Sequence, residues 1–334
     1  MHSFSIGEND AGQRADKFLL KACPQLPKTL LYKAFRKRDV KLNGKRIPAE
    51  TFLQAGDVLQ VYLPDDCFSE KAQKQPAGIH LPSPEIIFED ARIAVMRKPS
   101  GLPVHADTQG SPDTMAGRFL QHLRDSGAYD PAAEQSFTPA LCNRLDRNTE
   151  GLVIGAKTAA ALRCLNEKIR LGEVEKEYLC ITVGAPPKRS DTVTAYHRRQ
   201  EGHSAEFSEV PREGFREMKT GYELLGRDGG LSLLRIRLYT GRTHQIRLQT
   251  AALGCPVLGD TRYGSRNANA RYGERGQVLC AYRLHFAFSD ADCVLSDLRG
   301  KCFETEPSFL SRYPALAQQY RTFHPDIANK SCSH

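Results

Sequence analysis

The feature that most constrains this chain is an acidic residue, Asp146, set between two arginines just before an apolar run. Residues 141–155 read Leu-Cys-Asn-Arg-Leu-Asp-Arg-Asn-Thr-Glu-Gly-Leu-Val-Ile-Gly, and the apolar residues after the Thr-Glu-Gly turn predict a buried strand. Asp146 is therefore expected beside the core, where a carboxylate must be paired with cations or take up a proton. Taken alone, Arg-x-Asp-Arg is more often a surface turn with a salt bridge than a functional site. Other segments of the sequence are needed to choose between these two interpretations.

Three further segments carry charged, aromatic and turn-forming residues in a fixed order. Residues 158–171 predict a helix, and a strand through Lys176 and Tyr178 follows it. Residues 238–249 read Leu-Tyr-Thr-Gly-Arg-Thr-His-Gln-Ile-Arg-Leu-Gln, and residues 254–264 read Gly-Cys-Pro-Val-Leu-Gly-Asp-Thr-Arg-Tyr-Gly. Alone, they are an amphipathic edge, a basic phosphate-contacting strand and a turn. Four such segments in this order are not expected by chance.

In this order and spacing the segments resemble the RluA-type RNA pseudouridine synthases. The resemblance covers residues 86–288 and begins with residues 86–105, whose Lys-Pro-Ser-Gly is similar to the family's Lys-Pro-x-Gly turn. It implies that Asp146 is the catalytic aspartate, Tyr178 the active-site tyrosine and Arg247 the basic partner of the aspartate. It also implies an α+β fold, with a mixed, largely antiparallel central sheet flanked by helices. We expect this catalytic domain over residues 85–290.

Two positions depart from the family pattern. The residue three before the aspartate is usually His and is Asn143 here, and the usual Ser after Thr149 is Glu150. Both positions flank the catalytic residue and supply no chemistry themselves. They are therefore expected to bear on substrate identity more than on activity.

The chemistry implied by the resemblance suits these residue types. Converting uridine to pseudouridine breaks a nitrogen–carbon glycosidic bond, turns the uracil and rejoins it to the sugar through carbon. Glycoside hydrolysis uses two carboxylates, one of them to activate water, whereas this isomerase has to exclude water. Asp146 either attacks the anomeric carbon or acts as a base at the neighbouring sugar carbon, and the sequence leaves both open. Tyr178 can stack on the uracil, and its phenol can relay the final proton only if its pKa is tuned. No metal or cofactor is required.

A uridine inside folded RNA has to leave its stack to reach such a pocket. Arg144 and Asn143 are candidates to hold the gap, and the family pattern favours Arg144. The alternative, which we weigh equally, makes Arg144 a phosphate contact. Further residues of the same motifs are predicted to contact RNA: Arg147, Lys176, Arg242 and His244.

The net charge of +8 is concentrated near the N terminus. Residues 13–63 hold eleven Lys and Arg against four acids, a net +7, which is an electrostatic footprint for nucleic acid. Two helical segments, an Asn43-Gly44 hairpin turn and a later strand make this segment similar to the S-four-type RNA-binding domain, a small α/β unit. Its RNA-facing side chains are predicted to be Lys33, Arg36, Lys37, Arg38 and Lys41. Residues 64–84, rich in Pro, Gln, Lys and Ser, predict a linker.

Cysteines and histidines give no sign of a metal site. The ten cysteines contain no Cys-x-x-Cys pair and no metal-ligand spacing, so they predict reduced thiols of a cytoplasmic protein. His105, His244 and His285 lie in strand-like motifs, and satisfied histidines are favoured over a metal trio. The sequence shows no apolar signal core and no run of membrane-spanning length, which predicts no membrane partner.

The remaining segments constrain function less. Residues 111–139 and 262–277 predict loops, the second basic enough to touch RNA, and residues 291–334 form a C-terminal extension with no assignable pattern.

Two functions of different classes remain. The first is an RNA-modifying isomerase, predicted to act as a monomer on structured RNA, with ribosomal RNA favoured and transfer RNA as the alternative. The second is a non-catalytic RNA-binding or ribosome-assembly factor on the same scaffold. Such a factor has no need of Asp146, Tyr178 and Arg247 together, so the enzyme is favoured. A nucleoside hydrolase is a weaker third alternative, because neither a metal nor a second carboxylate to activate water is evident.

Overall fold

The computed structural model describes five stretches of the chain: residues 1–68, 80–106, 110–198, 206–290 and 293–323. Within them, seven α-helices and fifteen strands form an α+β fold with a four-stranded and an eleven-stranded sheet. The larger part of the predicted linker, and the end of the predicted C-terminal extension, lie outside the described residues. In the stretches that are described, no helix combines the length and apolar character needed to cross a bilayer.

The N-terminal unit packs two helices on the four-stranded antiparallel sheet, in the order β1-β4-β2-β3. Its elements are β1 (His2–Ser5), α1 (Ala15–Ala22), α2 (Lys28–Lys37), β2 (Val40–Leu42), β3 (Lys45–Arg46) and β4 (Val58–Val61). The predicted hairpin turns at Asn43 and Gly44, which both have positive φ, as a two-residue turn of this kind needs. The unit begins at residue 2 and not at 13, because β1 pairs with β4, a strand far away in the sequence that no local pattern connects with it.

The domain that the resemblance predicts to be catalytic, called the catalytic domain below, is built on the eleven-stranded sheet. Its elements are β5 (Glu85–Glu89), β6 (Ile93–Lys98), α3 (Met115–Asp125), β7 (Ala140–Leu141), β8 (Glu150–Ala156), α4 (Ala159–Arg170), β9 (Val174–Val183), β10 (Ser190–Arg198), β11 (Glu206–Ser208), β12 (Arg216–Asp228), β13 (Leu231–Leu238), α5 (Gln245–Ala252), α6 (Arg266–Tyr272), β14 (Leu279–Phe286), β15 (Cys302–Glu304) and α7 (Pro314–Phe323).

The sheet runs in the order β11-β10-β12-β13-β9-β14-β8-β6-β5, with β15 on β14 and β7 on β8. Among the strand pairs of the described residues only β14 and β8 are parallel, so the prediction of a mixed, largely antiparallel sheet is confirmed. Strand β8, predicted to be buried, is buried along its whole length. At its start Gly151 has a φ of 118°, and a Cβ there would lie 2.3 Å from the carbonyl oxygen of Ala281. Only glycine allows β8 to approach β14 so closely.

The loop prediction for residues 111–139 missed helix α3. The helix begins after Thr114, whose hydroxyl accepts a hydrogen bond from the Gly117 N–H at 2.9 Å. It buries Met115, Phe119 and Leu123, and this narrow stripe at four-residue spacing was the signal that the prediction overlooked. In the same way, the loop predicted over residues 262–277 contains the short helix α6.

The described part of the C-terminal extension, residues 293–323, packs on the larger sheet and does not form a separate tail. Strand β15 extends the sheet at β14, and α7 packs against β12 and β13. The core there buries Phe309, Leu316 and Tyr320 together with Leu233 of β13. The domain therefore continues beyond the predicted boundary at residue 290, because the partners of this segment lie far away in the sequence.

The N-terminal unit contacts the catalytic domain through residues 9–13. The buried carboxylate of Asp10 accepts hydrogen bonds from the backbone N–H and the hydroxyl of Ser136, at 3.1 and 2.5 Å. The Asn9 amide accepts a bond from the N–H of Ala159 at the start of α4, at 3.0 Å. The Arg163 guanidinium, also on α4, donates to the Ala11 carbonyl at 3.2 Å. The unit is thus attached beside the N terminus of α4.

Candidate active site

A cleft of about 660 Å³ opens where three segments of the catalytic domain meet. They are the loop before β8, the start of β9, and the residues that lead from β13 into α5. The three predicted catalytic side chains, Asp146, Tyr178 and Arg247, come one from each segment and all line this cleft. The sequence placed them more than thirty residues apart, and the fold brings them together.

Asp146 lies on the wall of the cleft and is held by Arg247. The Arg247 Nη1 donates to Asp146 Oδ2 at 2.8 Å. The Asp146 side chain is 27% exposed, whereas that of Arg247 is only 8% exposed. The carboxylate is therefore accessible to a substrate while its cationic partner is screened from water, as a charge-assisted pair at the edge of a core requires.

Arg247 is in turn fixed by a second acid, Asp260. Its Nε donates to Asp260 Oδ2 at 2.7 Å and its Nη2 to Asp260 Oδ1 at 3.0 Å. The backbone N–H groups of Arg262 and Tyr263 also donate to Oδ1, at 2.8 and 3.0 Å. Burial alone raises the pKa of the Asp260 carboxyl, but the Arg247 and backbone hydrogen bonds outweigh it, and this pKa is below its ordinary value.

Sequence reasoning missed Asp260, although its segment was recognised. Gly-Asp-x-x-Tyr-Gly was interpreted as turn chemistry, and the acid does form a turn with the following N–H groups. The overlooked signal was an acid separated only by Gly259 from the apolar run of residues 256–258, which predicts a buried carboxylate in need of a cation.

His244 lies where β13 gives way to α5, and not on a strand as predicted. It has a φ of 55° and immediately precedes Gln245, the first residue of the helix. The chain leaves the strand because the Gln245 side-chain oxygen accepts hydrogen bonds from the Thr240 hydroxyl, at 2.9 Å, and from the Arg242 N–H, at 3.0 Å. These contacts fold the motif into a turn, which its strand-like sequence did not predict.

The imidazole of His244 lies between Tyr263 and Asp146. Its Nδ1 is 3.1 Å from the Tyr263 hydroxyl and its Nε2 is 3.8 Å from Asp146 Oδ2. Burial lowers the pKa of His244, and the nearby Asp146 carboxylate only partly opposes this. The neutral ring is therefore the main form at neutral pH, and Arg247 remains the principal cation on Asp146.

Tyr178 is almost completely buried in β9, with its side chain at the cleft. Burial, and to a smaller degree the charge of Asp146, raise the pKa of its phenol. Tyr178 therefore keeps its proton, and the tuning that a proton relay through its phenolate would require is absent.

Lys98, in the Lys-Pro-Ser-Gly turn, supports the loop that carries Asp146. Its fully buried ammonium donates to the carbonyls of Pro99, Leu102 and Arg147, at 2.9, 2.7 and 2.8 Å. Burial lowers the pKa of Lys98 to about 8, partly opposed by the charge of Asp146. Sequence reasoning recognised the turn and gave no role to its lysine.

The three predicted RNA contacts next to Asp146 have different surroundings. Arg144 is exposed at the cleft, as a gap-filling or phosphate-binding side chain has to be. The Asn143 amide is occupied by β8, since it accepts from the Ile154 N–H at 2.8 Å and donates to the Leu152 carbonyl at 3.2 Å. Asn143 therefore holds the loop on the strand. Arg147 is exposed but does not line the cleft.

Lys176 and Arg242 both line the cleft, as predicted RNA contacts should. Burial lowers the pKa of Lys176. The Arg242 Nε donates to the carbonyl of Glu217 on β12 at 3.1 Å, which fixes the side chain beside the entrance to α5.

Glu150, the second departure from the family pattern, does not line the cleft. Its buried carboxylate accepts hydrogen bonds from the N–H and the hydroxyl of Ser308, at 2.9 and 2.6 Å, and lies 3.7 Å from the Arg97 guanidinium. Glu150 thus anchors the C-terminal segment to β8, and its bearing on substrate choice stays a prediction.

The basic side chains of the N-terminal unit are separate from the cleft. Lys33, Arg36, Lys37 and Arg38 are exposed on and just after α2. The Lys41 ammonium lies 4.8 Å from the centre of the Tyr62 ring. None of the five lines the cleft.

The histidines considered as a metal trio have different surroundings. His105 and His244 line the cleft, whereas the Nδ1 of His285 on β14 is 3.1 Å from Glu175. Throughout the described stretches, no group of three or more His, Cys, Asp or Glu side chains is arranged to hold a metal ion.

Comparison with known proteins identifies the family. Residues 92–252, which include Asp146, Tyr178 and Arg247, match the family model described as RNA pseudouridylate synthase. The ribosomal large subunit pseudouridine synthase C of Salmonella typhimurium is 34% identical over 289 residues, covering 85% of this chain and 86% of the relative. The protein of the same name from Escherichia coli K12 is 33% identical with the same coverage. The chain therefore belongs to the RNA pseudouridine synthases, of the RluA type.

A solved structure agrees on the fold. Human RNA pseudouridylate synthase domain containing 4 superimposes with a TM-score of 0.53 at 22% identity, covering 68% of this chain and 90% of the human one.

Proposed function

We propose that this enzyme isomerises uridine to pseudouridine in ribosomal RNA, with Asp146 as the catalytic aspartate. The observation that carries the proposal is the accessible Asp146 carboxylate, held at 2.8 Å by an Arg247 that Asp260 fixes from behind. The relatives with the highest identity quoted above are named for the large ribosomal subunit, which supports ribosomal RNA as the substrate class.

Asp146 is placed to act on the sugar of a uridine that enters the cleft. Kept ionised and oriented by Arg247, it either attacks the anomeric carbon or removes a proton from the neighbouring sugar carbon, and both routes release the uracil. The uracil then turns and bonds to the sugar through its carbon. Arg247 stays protonated throughout, because it is already bound to two carboxylates.

The same geometry argues against hydrolysis. A two-carboxylate glycosidase needs a second acid that reaches a water molecule. Here the second acid of the network, Asp260, is fully buried and accepts bonds from Arg247 and two backbone N–H groups. It has no position from which to activate water against a sugar.

Tyr178 and Arg144 serve the base in different ways. The neutral, buried Tyr178 contacts the uracil as an aromatic surface and keeps its proton during the reaction. The exposed Arg144 fills the space that the uridine leaves in the RNA stack, or binds the adjoining phosphate. The exposed basic side chains of the N-terminal S-four-like unit add phosphate contacts. Since one chain supplies every group of the site, we propose a monomer that works in the cytoplasm with its RNA.

The test is a map of pseudouridines in ribosomal RNA from cells with and without the protein. We expect specific positions to revert to uridine in its absence, and to be restored by the wild-type chain but not by Asp146→Asn. Loss of a transfer RNA position alone would make transfer RNA the substrate. Maps that are unchanged in every RNA would favour the second candidate, a ribosome-assembly factor without catalysis.

A further inference from the structure

Tyr239 is an exposed aromatic residue that borders two hollows at once. It follows β13 directly, is 46% exposed, and lines the catalytic cleft. It also lines a second hollow of about 390 Å³ on the face of the sheet, together with Thr192 of β10 and Gly221 of β12. Large exposed aromatic side chains between two concave surfaces are typical of binding sites.

The fold holds the Tyr239 ring in place. The Tyr239 N–H donates to the Lys219 carbonyl at 3.1 Å. The ring lies over Gly221, where an added Cβ would be 3.4 Å from its Cε2 atom, so glycine leaves room for it. The Lys219 ammonium and the Arg237 guanidinium lie 5.4 and 5.3 Å from the ring centre. An aromatic ring seated on a strand with cations beside it is fixed before any ligand arrives.

The charges around the ring leave one cation available. Arg237 is paired with Glu175, and Arg235, farther along β13, is paired with Glu223. Lys219 is exposed, and within the described part of the chain no acid lies at salt-bridge distance from its ammonium. Lys219 is therefore the side chain beside Tyr239 that can bind a phosphate without breaking an ion pair.

We propose that Tyr239 and Lys219 form a second RNA subsite, where an unpaired base near the target uridine stacks on the Tyr239 ring and its phosphate binds Lys219. The inference rests on the proposed function for the nature of the ligand. Unpaired bases stack on aromatic side chains largely irrespective of sequence, and basic side chains follow the backbone. Extrusion of one uridine unstacks its neighbours, and Tyr239 lies at the border of the cleft that receives that uridine.

The absence of tryptophan from the sequence provides a direct test of stacking. Tyr239→Trp introduces a single indole, to be titrated with a uridine-rich single-stranded RNA and with the same RNA annealed to its complement. We expect strong quenching by the single strand and little by the duplex, because paired bases cannot stack on the ring. Phe323→Trp, at a site that is 40% exposed and lines neither hollow, is the control and should not respond. Equal quenching of Tyr239→Trp by both RNAs, or none by either, would overturn the proposal.

A kinetic test separates this inference from the proposed function. On a ribosomal RNA transcript, Tyr239→Ala should raise KM by about tenfold with little change in kcat, in line with the stacking contribution of one base. Tyr239→Phe should keep most of the affinity, since the ring does the stacking, and Phe323→Ala should behave as wild type. An unchanged KM for Tyr239→Ala would overturn the subsite while the enzyme's function stands. Failure of the wild-type chain on this transcript would instead reject ribosomal RNA as substrate, and the fluorescence result would still decide on the subsite.

Discussion

Arg247 donates two parallel hydrogen bonds to Asp260, at 2.7 and 3.0 Å, and this pairing leaves its Nη1 directed at Asp146. Because Asp260 is fully buried and also accepts two backbone N–H groups, the guanidinium cannot turn without breaking several bonds at once. The orientation of Asp146 is thus set by an acid that does not line the cleft.

Asp260→Asn is expected to impair both stability and catalysis. The amide removes the negative charge that compensates the buried Arg247, which typically costs about 3 kcal/mol of the free energy of unfolding. Because Arg247 loses one parallel bond, kcat should fall much more than RNA affinity. The control is Asp297→Asn, which removes a half-exposed partner of Arg92 and should cost less than about 1 kcal/mol. Denaturant unfolding and single-turnover rates measure both effects. A wild-type kcat for Asp260→Asn would show that Arg247 needs no such support.

Asp146→Asn should abolish isomerisation and leave RNA binding intact. The substitution keeps the shape and removes the charge and the nucleophile, so the cleft still accepts RNA. Tritium release from RNA labelled at carbon 5 of uridine measures the reaction, and filter binding measures affinity. The surface acid Asp297, which is paired with Arg92 and lines neither hollow, offers a matched Asp→Asn control that should release tritium at the wild-type rate. Appreciable release by Asp146→Asn would end its assignment as the catalytic residue.

Replacement of Arg247 should distinguish charge from geometry. Arg247→Ala removes the cation from both carboxylates and should reduce activity severely. Arg247→Lys should recover only part of it, because an ammonium cannot offer the parallel donors that Asp260 accepts while also reaching Asp146. The comparison of kcat for the two variants is the measurement. Full activity in Arg247→Ala would mean that another side chain of the cleft, such as Arg242 or His244, orients the aspartate.

We expect activity to decline as pH rises through about 8, because burial lowers the pKa of the Lys98 ammonium to about this value. Below this pH the ammonium has three N–H donors for the carbonyls of Pro99, Leu102 and Arg147; above it the neutral amine has two. Loss of one bond loosens the loop after Asp146. A pH–rate profile of the wild type should therefore show this alkaline limb, and Lys98→Met, less active throughout, should lack it. An identical limb in both proteins would assign it to the RNA or to another group.

Helices and turns that depend on residues close together in the sequence were predicted well. The helix predicted over residues 158–171 is observed over Ala159–Arg170, one residue shorter at each end, and the Asn43-Gly44 turn forms where it was expected. Contacts between distant segments were not predictable in this way. Nothing local indicates that the Lys98 ammonium meets the carbonyl of Arg147, forty-nine residues away.

The same limit applies to the candidate site. The motif order identified Asp146, Tyr178 and Arg247, which the fold brings to one cleft. The motif order did not distinguish Arg144, which lines the cleft, from Arg147, which does not. The direction of each side chain depends on how the loop before β8 is folded. Burial of Asp260 depends on the same tertiary packing.

The basic N-terminal unit should act through phosphate contacts and weaken with salt. Replacing the exposed Arg36, Lys37 and Arg38 by Ala should lower RNA affinity and make the slope of log affinity against log salt shallower, by up to about 0.7–0.9 per lost contact. The rate at saturating RNA should stay close to wild type, since the cleft is untouched. The exposed acids Glu8 and Glu209 provide a control pair whose substitution by Gln should not make the slope shallower. Equal slopes for the triple variant and wild type would show that this surface binds some other partner.

The hydrogen bonds between Glu150 and Ser308 constrain how these two positions can change during evolution. A buried carboxylate at the start of β8 is tolerable only where the C-terminal segment supplies its donors, so an acid at this position and a segment that returns to it should be gained and lost together. Across an alignment of relatives, those with serine here should show shortened or unrelated C-terminal ends, and those with an acid should retain a hydroxyl donor opposite. Covariation of positions 150 and 308 would define a subgroup of relatives by how the C-terminal segment is attached, and not by the uridine that its members modify.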